Sequence, residues 1–253
     1  MTKLLIITLL TWFQFTAYAD EINTDTEWKG IWFPRNPYDE NLSLSDCQSI
    51  CDNGHNCLQT DLDENKHKAL WTCEDNRTFY EGRFDLNPLY TEFDIPVAYV
   101  PQALCMNESI YYGEELTAFG NYRPVWASYG EYTYLPQQRY MHNLDFGAVV
   151  ALYHPCANRM QIKSFKSIVA SCLFRHLISP SRMLTKERPF ALLVWGKSLE
   201  MPIVEPFIIR DFIKKEAIKT PKNIYSDGNY QRLLIKPANL VTDEKDSELC
   251  PID

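Results

Sequence analysis

Eight cysteines, at positions 47, 51, 57, 73, 105, 156, 172 and 250, constrain this chain more than any other feature. An even set of this size ends either in disulfides or in metal sites. Zinc would ask for C-x2-C pairs or for histidines that flank the cysteines usefully; no pair has that spacing, and the histidines are not so placed. Cys47 and Cys51 are separated by three residues, so they are not a redox C-x-x-C pair either. All eight are therefore read as disulfide cysteines, with the connectivity left open, and disulfides require an oxidising compartment.

The N-terminus offers the route to one. Lys3 precedes a short apolar run, Leu4 to Phe13, and Ala17-Tyr18-Ala19 forms a small-x-small site before Asp20. That is the build of a cleavable signal peptide over residues 1–19. The run is interrupted by threonines and falls short of the roughly 20 residues that span a bilayer. Cleavage after Ala19 leaves 234 of the 253 residues and, with Lys3 gone, moves the net charge from −8 to −9. Three N-x-S/T sequons, at Asn41, Asn76 and Asn107, fit the same secreted, extracellular setting as glycosylation sites. An acidic chain lacks the basic footprint that nucleic acid or an anionic membrane demands. No later segment has the length of a membrane span, so neither partner is expected.

Residues 20–94 form a cysteine-rich, loop-dominated segment. Clusters such as Asp52-Asn-Gly-His-Asn56 break any apolar periodicity, and disulfides replace a core there. Residues 95–220 read as a core domain. Ile95 to Pro101 predicts a short edge strand, Tyr129 to Pro136 an alternating one, and Phe146 to Tyr153 a strand buried on both faces. Ile162, Phe165, Val169, Cys172, Leu173 and His176 recur at helical spacing, predicting a helix over about 159–177. Pro189 to Val194 predicts a strand that returns through Trp195-Gly-Lys-Ser198 into Leu199–Met201. A second helix follows from Pro206 to Pro221, with Glu205 at its positive end and Lys214, Lys215 and Lys219 at its negative end. The fold class is α+β: a small mixed sheet with two main helices on one face. The polar tail over 221–253 is pinned back by Cys250. Cys156 and Cys172, at opposite ends of the first helix, pair with other cysteines, and Cys105 is a candidate partner for one of them.

Several stretches carry a family resemblance. Leu152-Tyr-His-Pro-Cys-Ala157, Arg188-Pro-Phe-Ala-Leu-Leu-Val-Trp-Gly196, Leu199-Glu-Met201 and Val204-Glu-Pro206 resemble the animal tumour protein p53-inducible protein 13-like family. Cys105-Met-Asn-Glu-Ser109, Tyr129-Gly-Glu-Tyr132, Leu135-Pro-Gln-Gln-Arg139 and His142-Asn-Leu-Asp-Phe-Gly147 look like its invertebrate members. The core is also similar to a bacterial extracytoplasmic domain of unknown function built around His-Asn-Leu-Glu-His-Gly. The resemblance covers about residues 100–220. It implies an extracytoplasmic α+β domain from a family associated with growth restraint, and no reaction. Two departures stand out: Phe146 and Tyr122 occupy positions where relatives carry histidine. The vertebrate relatives' C-terminal membrane segment is also missing from this chain.

Three histidines and a carboxylate would suit zinc, but only His142 and Asp145 remain of that set. His154 lies about 27 Å along the intervening strand. No metal and no cofactor is expected. His142, Asn143 and Asp145 are read instead as a polar cap on the turn entering the buried strand, with Tyr122 and His154 as further candidate ligand contacts. No nucleophile elbow or phosphate-cradling glycine loop is present. The acidic pairs Glu114-Glu115 and Asp243-Glu244 read as solvated surface rather than catalytic dyads. The surplus of Tyr and Trp serves either a core or a binding surface. Two function classes survive: a non-catalytic secreted module that binds an extracellular or cell-surface protein, and a metal-dependent enzyme or metal carrier using His142.

Overall fold

The computed structural model describes residues 51, 52, 54, 70–73, 79–113, 116–220 and 222–251. The leader expected over 1–19, Cys47, Cys57, the sequons at Asn41 and Asn76, Glu114-Glu115 and Pro221 lie outside them. In chain order the elements are β1 (Leu89–Glu92), β2 (Gly130–Tyr132), α1 (Gln137–Asp145), β3 (Val149–Tyr153) and α2 (Arg159–Ala170). These are followed by β4 (His176–Pro180), β5 (Phe190–Val194), β6 (Lys197–Met201), α3 (Pro206–Glu216) and β7 (Leu234–Pro237). The seven strands make one mixed sheet in the order β1-β6-β5-β3-β4-β2-β7. β4 runs parallel to both β3 and β2, and every other pairing is antiparallel.

The α+β class and the two main helices on one face are as the sequence predicts. α2 and α3 bring Phe165, Val169, Ile209, Phe212 and Ile213 onto Val149, Ala151, Ile178, Leu192 and Leu199 of the sheet. Asn158 caps α2 by accepting from Met160 N at 2.9 Å and Gln161 N at 3.3 Å, which satisfies two donors the helix start leaves open. Pro206 opens α3, where its missing N–H costs nothing. The other face carries a third helix, α1, with Tyr129, Tyr132 and Leu135 packed over Val150, Leu152, Leu177 and Leu193. Tyr122, Tyr129 and Tyr132 are thus core residues, while Tyr111 stands exposed.

Four expectations are corrected. Residues 95–101 form no strand: Tyr99 N donates to Pro96 O at 2.8 Å in a turn. The first main helix ends at Ala170, not 177. Cys172 and Leu173 are buried in the turn beyond it, and His176 opens β4, whose pairing with β3 outweighs the helical spacing. α3 stops at Glu216, which leaves Lys219 outside the helix. The polar cap at 142–145 is no turn but the last part of α1.

Six described cysteines form three disulfides: Cys51–Cys105, Cys73–Cys156 and Cys172–Cys250. Cys105 therefore joins neither Cys156 nor Cys172, because Met106 N donates to Cys51 O at 2.8 Å and draws those two segments together. Cys250 holds the tail against the end of α2. Among the described residues no helix is long and apolar enough to cross a membrane.

Candidate functional site

α1 buries all seven residues from Arg139 to Asp145, and four of them, Arg139, His142, Asn143 and Asp145, are polar or charged. A helix so composed is stable only if each polar group finds a partner. Its end is set by Gly147, at φ +94°, a conformation side chains with a Cβ avoid. Gly147 N donates to Leu144 O and Ala148 N to Asn143 O, both at 3.0 Å, the paired closure of a Schellman motif. The Phe-Gly step that resembles the start of a strand is thus a helix cap.

The partners come from far along the chain. Arg139 donates from Nη1 to Asp52 Oδ2 at 2.7 Å and to Val125 O at 2.9 Å, with its guanidinium 4.6 Å from the centre of the Tyr230 ring. Asn143 clasps the backbone of Ala127, accepting from its N–H at 3.0 Å and donating to its carbonyl at 2.8 Å. Arg123 donates to the carbonyls of Leu104 and Cys105, which ties the first disulfide to the helix.

His142 lies in a cage of rings. Tyr122 stacks on it with centroids 3.9 Å apart and planes 13° from parallel, and Trp126 and Phe146 close in at 5.0 and 4.6 Å. Its Nδ1 sits 2.7 Å from Arg123 O. A carbonyl only accepts, so Nδ1 carries the proton and Nε2 holds the lone pair of a neutral ring. Burial drives the imidazole's pKa down to about 3, opposed by the bond to Arg123. The unfolded chain takes up that proton near 6.5, so between about 6.5 and 3 it binds more protons than the fold. Stability therefore falls as pH is lowered through that window, by up to about 1.4 kcal/mol per unit. Between pH 7 and pH 5 His142 alone is expected to account for a loss of about 2 kcal/mol. His142→Gln should show a shallower loss in urea unfolding at the two pH values. Parallel behaviour of the two chains would mean that the ring titrates normally in the fold.

Asp145 is the charged centre. Tyr122 donates its hydroxyl to Asp145 Oδ2 at 2.9 Å, and Lys222 Nζ approaches the same oxygen at 2.6 Å. Lys222 Nζ also reaches the Tyr122 hydroxyl oxygen at 3.2 Å, which accepts. Burial, then the Asp145 charge, pushes the Tyr122 phenol well above its ordinary value, so it remains a donor. The arrangement binds a cation between a carboxylate and a phenol, and the cation is the chain's own ammonium.

Of the residues singled out from sequence, the fold brings Tyr122, His142, Asp145 and Phe146 together. Asn143 points to Ala127 instead. His154 is apart from them beyond the end of β3, 4.7 Å from the Tyr80 ring and accepting from Cys156 N at 3.1 Å. Among the described residues no three His, Cys, Asp or Glu side chains gather as a metal set. Sequence reasoning missed Lys222, Arg123, Arg139 and Asp52. Arg139, His142 and Asp145 do recur at i, i+3 and i+6, a polar stripe at helical spacing, which was the one signal available.

Residues 103–228 match a family described as "Protein of unknown function (DUF3105)". No curated protein and no solved structure matches the chain. The matched span contains every member of the network except Asp52 and Tyr230.

Proposed function

We propose that this is a secreted, non-catalytic module that binds another extracellular or cell-surface protein. The observation that carries this reading is the Lys222 ammonium lodged between Asp145 and Tyr122. At the positions where the resembled families carry histidine, the chain holds a phenol and a phenyl ring, and its own lysine neutralises the carboxylate. The network thereby fixes the loops around it rather than presenting an open coordination site. Asn121, next to Tyr122, accepts from Gln102 N at 2.9 Å and so holds the 95–113 segment, on which Val97, Val100 and Tyr111 stand exposed. Rigid loops bearing exposed apolar side chains suit protein recognition. The three disulfides agree with export. Asn107, exposed beside Cys105, is a proposed glycosylation site. The resemblance to the p53-inducible protein 13-like family adds growth restraint as the process to examine.

A second reading, a metal-dependent enzyme or metal carrier, draws on His142 alone, whose neutral ring with Nε2 unprotonated is in the state that ligates metal. One preparation separates the two. Protein recovered from the medium of expressing animal cells is expected to begin at Asp20 and to lose mass with an N-glycosidase. It is expected to bind cell surfaces saturably, with that binding abolished by trypsin treatment of the cells. Stoichiometric zinc, copper or iron after exhaustive dialysis would overturn the proposal in favour of the second reading.

A further inference from the structure

One row of the sheet crosses all seven strands in register: Tyr90, Leu199, Leu192, Ala151, Ile178, Glu131 and Lys236. Residues paired side by side share a face, and this is the face that α2 and α3 cover. From Tyr90 to Ile178 the row is apolar, as a helix-covered surface must be. At Glu131 and Lys236 it turns charged, because β2 and β7 project beyond the helix layer. α2 then stands as a wall beside the uncovered strands. Phe165, Ile168 and Val169 of α2 face the core, while Lys163, Lys166, Ser167, Ala170 and Ser171 face a cleft of about 420 Å³.

We propose that this cleft binds an oxyanion ester, a sulfate or phosphate carried on a body of about sugar size. It lies on the opposite face of the sheet from the His142 network and is independent of the function proposed above. Three lysines, 163, 166 and 236, line it against one carboxylate, Glu131, in a chain whose net charge is −8. A concave cationic surface on an acidic protein concentrates field where an anion is attracted and the remaining surface repels it. Lys166 is committed to Glu131 at 2.7 Å and lies over the Tyr153 ring. Among the described residues Lys163 and Lys236 have no acidic partner within 4.0 Å, and they stand exposed, one on the helix wall and one on the sheet. Two ammoniums facing one cavity match the charge of a phosphate monoester and more than neutralise that of a sulfate ester.

The rest of the lining suits the body that carries it. Ile178, Pro237, Ala238 and Ala170 give an apolar floor, and Ser167, Ser171 and Asn239 add hydroxyl and amide groups. His176 lines the cleft with Nδ1 held 2.7 Å from Leu173 O. Its proton is therefore on Nδ1, and Nε2 is left as an acceptor for a ligand hydroxyl. Burial lowers its pKa, so it stays neutral at the pH of extracellular fluid. The volume falls in the range of small-ligand sites.

Calorimetric titration of the intact protein with N-acetylglucosamine 6-sulfate, glucose 6-phosphate and their unesterified parent sugars tests this. At least one ester is expected to bind with Kd at or below about 1 mM, with its parent sugar at least about tenfold weaker. A preference for the sulfate points to extracellular sulfated glycans, and a preference for the phosphate to phosphorylated sugars. Lys163→Gln with Lys236→Gln should weaken the ester by about tenfold or more without moving Tm, since both side chains are exposed. The arginine pair at the same positions should retain binding. The proposal falls if neither ester binds below about 10 mM, if the parent sugars bind equally well, or if the glutamine pair binds unchanged.

Discussion

Asp246→Ala is expected to lower the unfolding free energy by about 3–5 kcal/mol, the usual cost of stranding one member of a buried ion pair. Asp246 and Arg175 are both buried, joined through Arg175 Nε at 3.1 Å. The carboxylate also accepts from the backbone N–H groups of Phe174 and Arg175, so its removal opens three donors at once. Arg175 keeps Asn223 Oδ1 at 2.7 Å and Lys245 O at 3.0 Å, which limits the loss. These contacts fasten the tail beside the Cys172–Cys250 disulfide, at the turn where α2 gives way to β4. A drop in Tm of about 10 °C follows for a domain of this size. Asp246→Asn should cost less, because it keeps the shape and part of the hydrogen bonding. A Tm within about 2 °C of the parent for Asp246→Ala would show that water reaches the pair.

The second large effect concerns the His142 cage. Tyr122 and Phe146 both touch His142, so Tyr122→His with Phe146→His places two further imidazoles against His142 beside Asp145. Adding Lys222→Met clears the resident ammonium. Without metal this variant should be less stable by a few kcal/mol, since it buries imidazoles where rings packed before. Zinc should then restore the loss, because three imidazoles are the minimum for an open zinc site. Thermal unfolding with and without zinc reads both steps. Destabilisation that zinc does not relieve would show that the three positions touch without converging on one point. It would also remove the argument that Lys222 fills a cation's place.

The sequence alone determined the elements whose side chains report directly on the core. β3, β5 and β6 are apolar runs or a hairpin around a tight turn, α2 and α3 carry stripes at helical spacing, and Pro206 marks the start of α3. These signals are local, because a face buried against a sheet must repeat with the period of its own backbone. Tertiary structure decided what has no local period. α1 buries Arg139, His142, Asn143 and Asp145 among Tyr140, Met141 and Leu144, and distant partners such as Asp52, Val125 and Ala127, 14 to 87 positions away, make that tolerable. β4 begins inside what looks like a continuing helix, because pairing with β3 and β2 outweighs the stripe that ends at His176. β7 lies in the tail that reads as polar, and it becomes a strand because β2 offers it a partner. Lys222 lies 100 positions from Tyr122 and 77 from Asp145, and a salt bridge across such a span leaves no trace in either neighbourhood. Hydrophobic burial is written into the order of residues along each element. Polar pairing is settled only when the fold has brought the partners within hydrogen-bond reach.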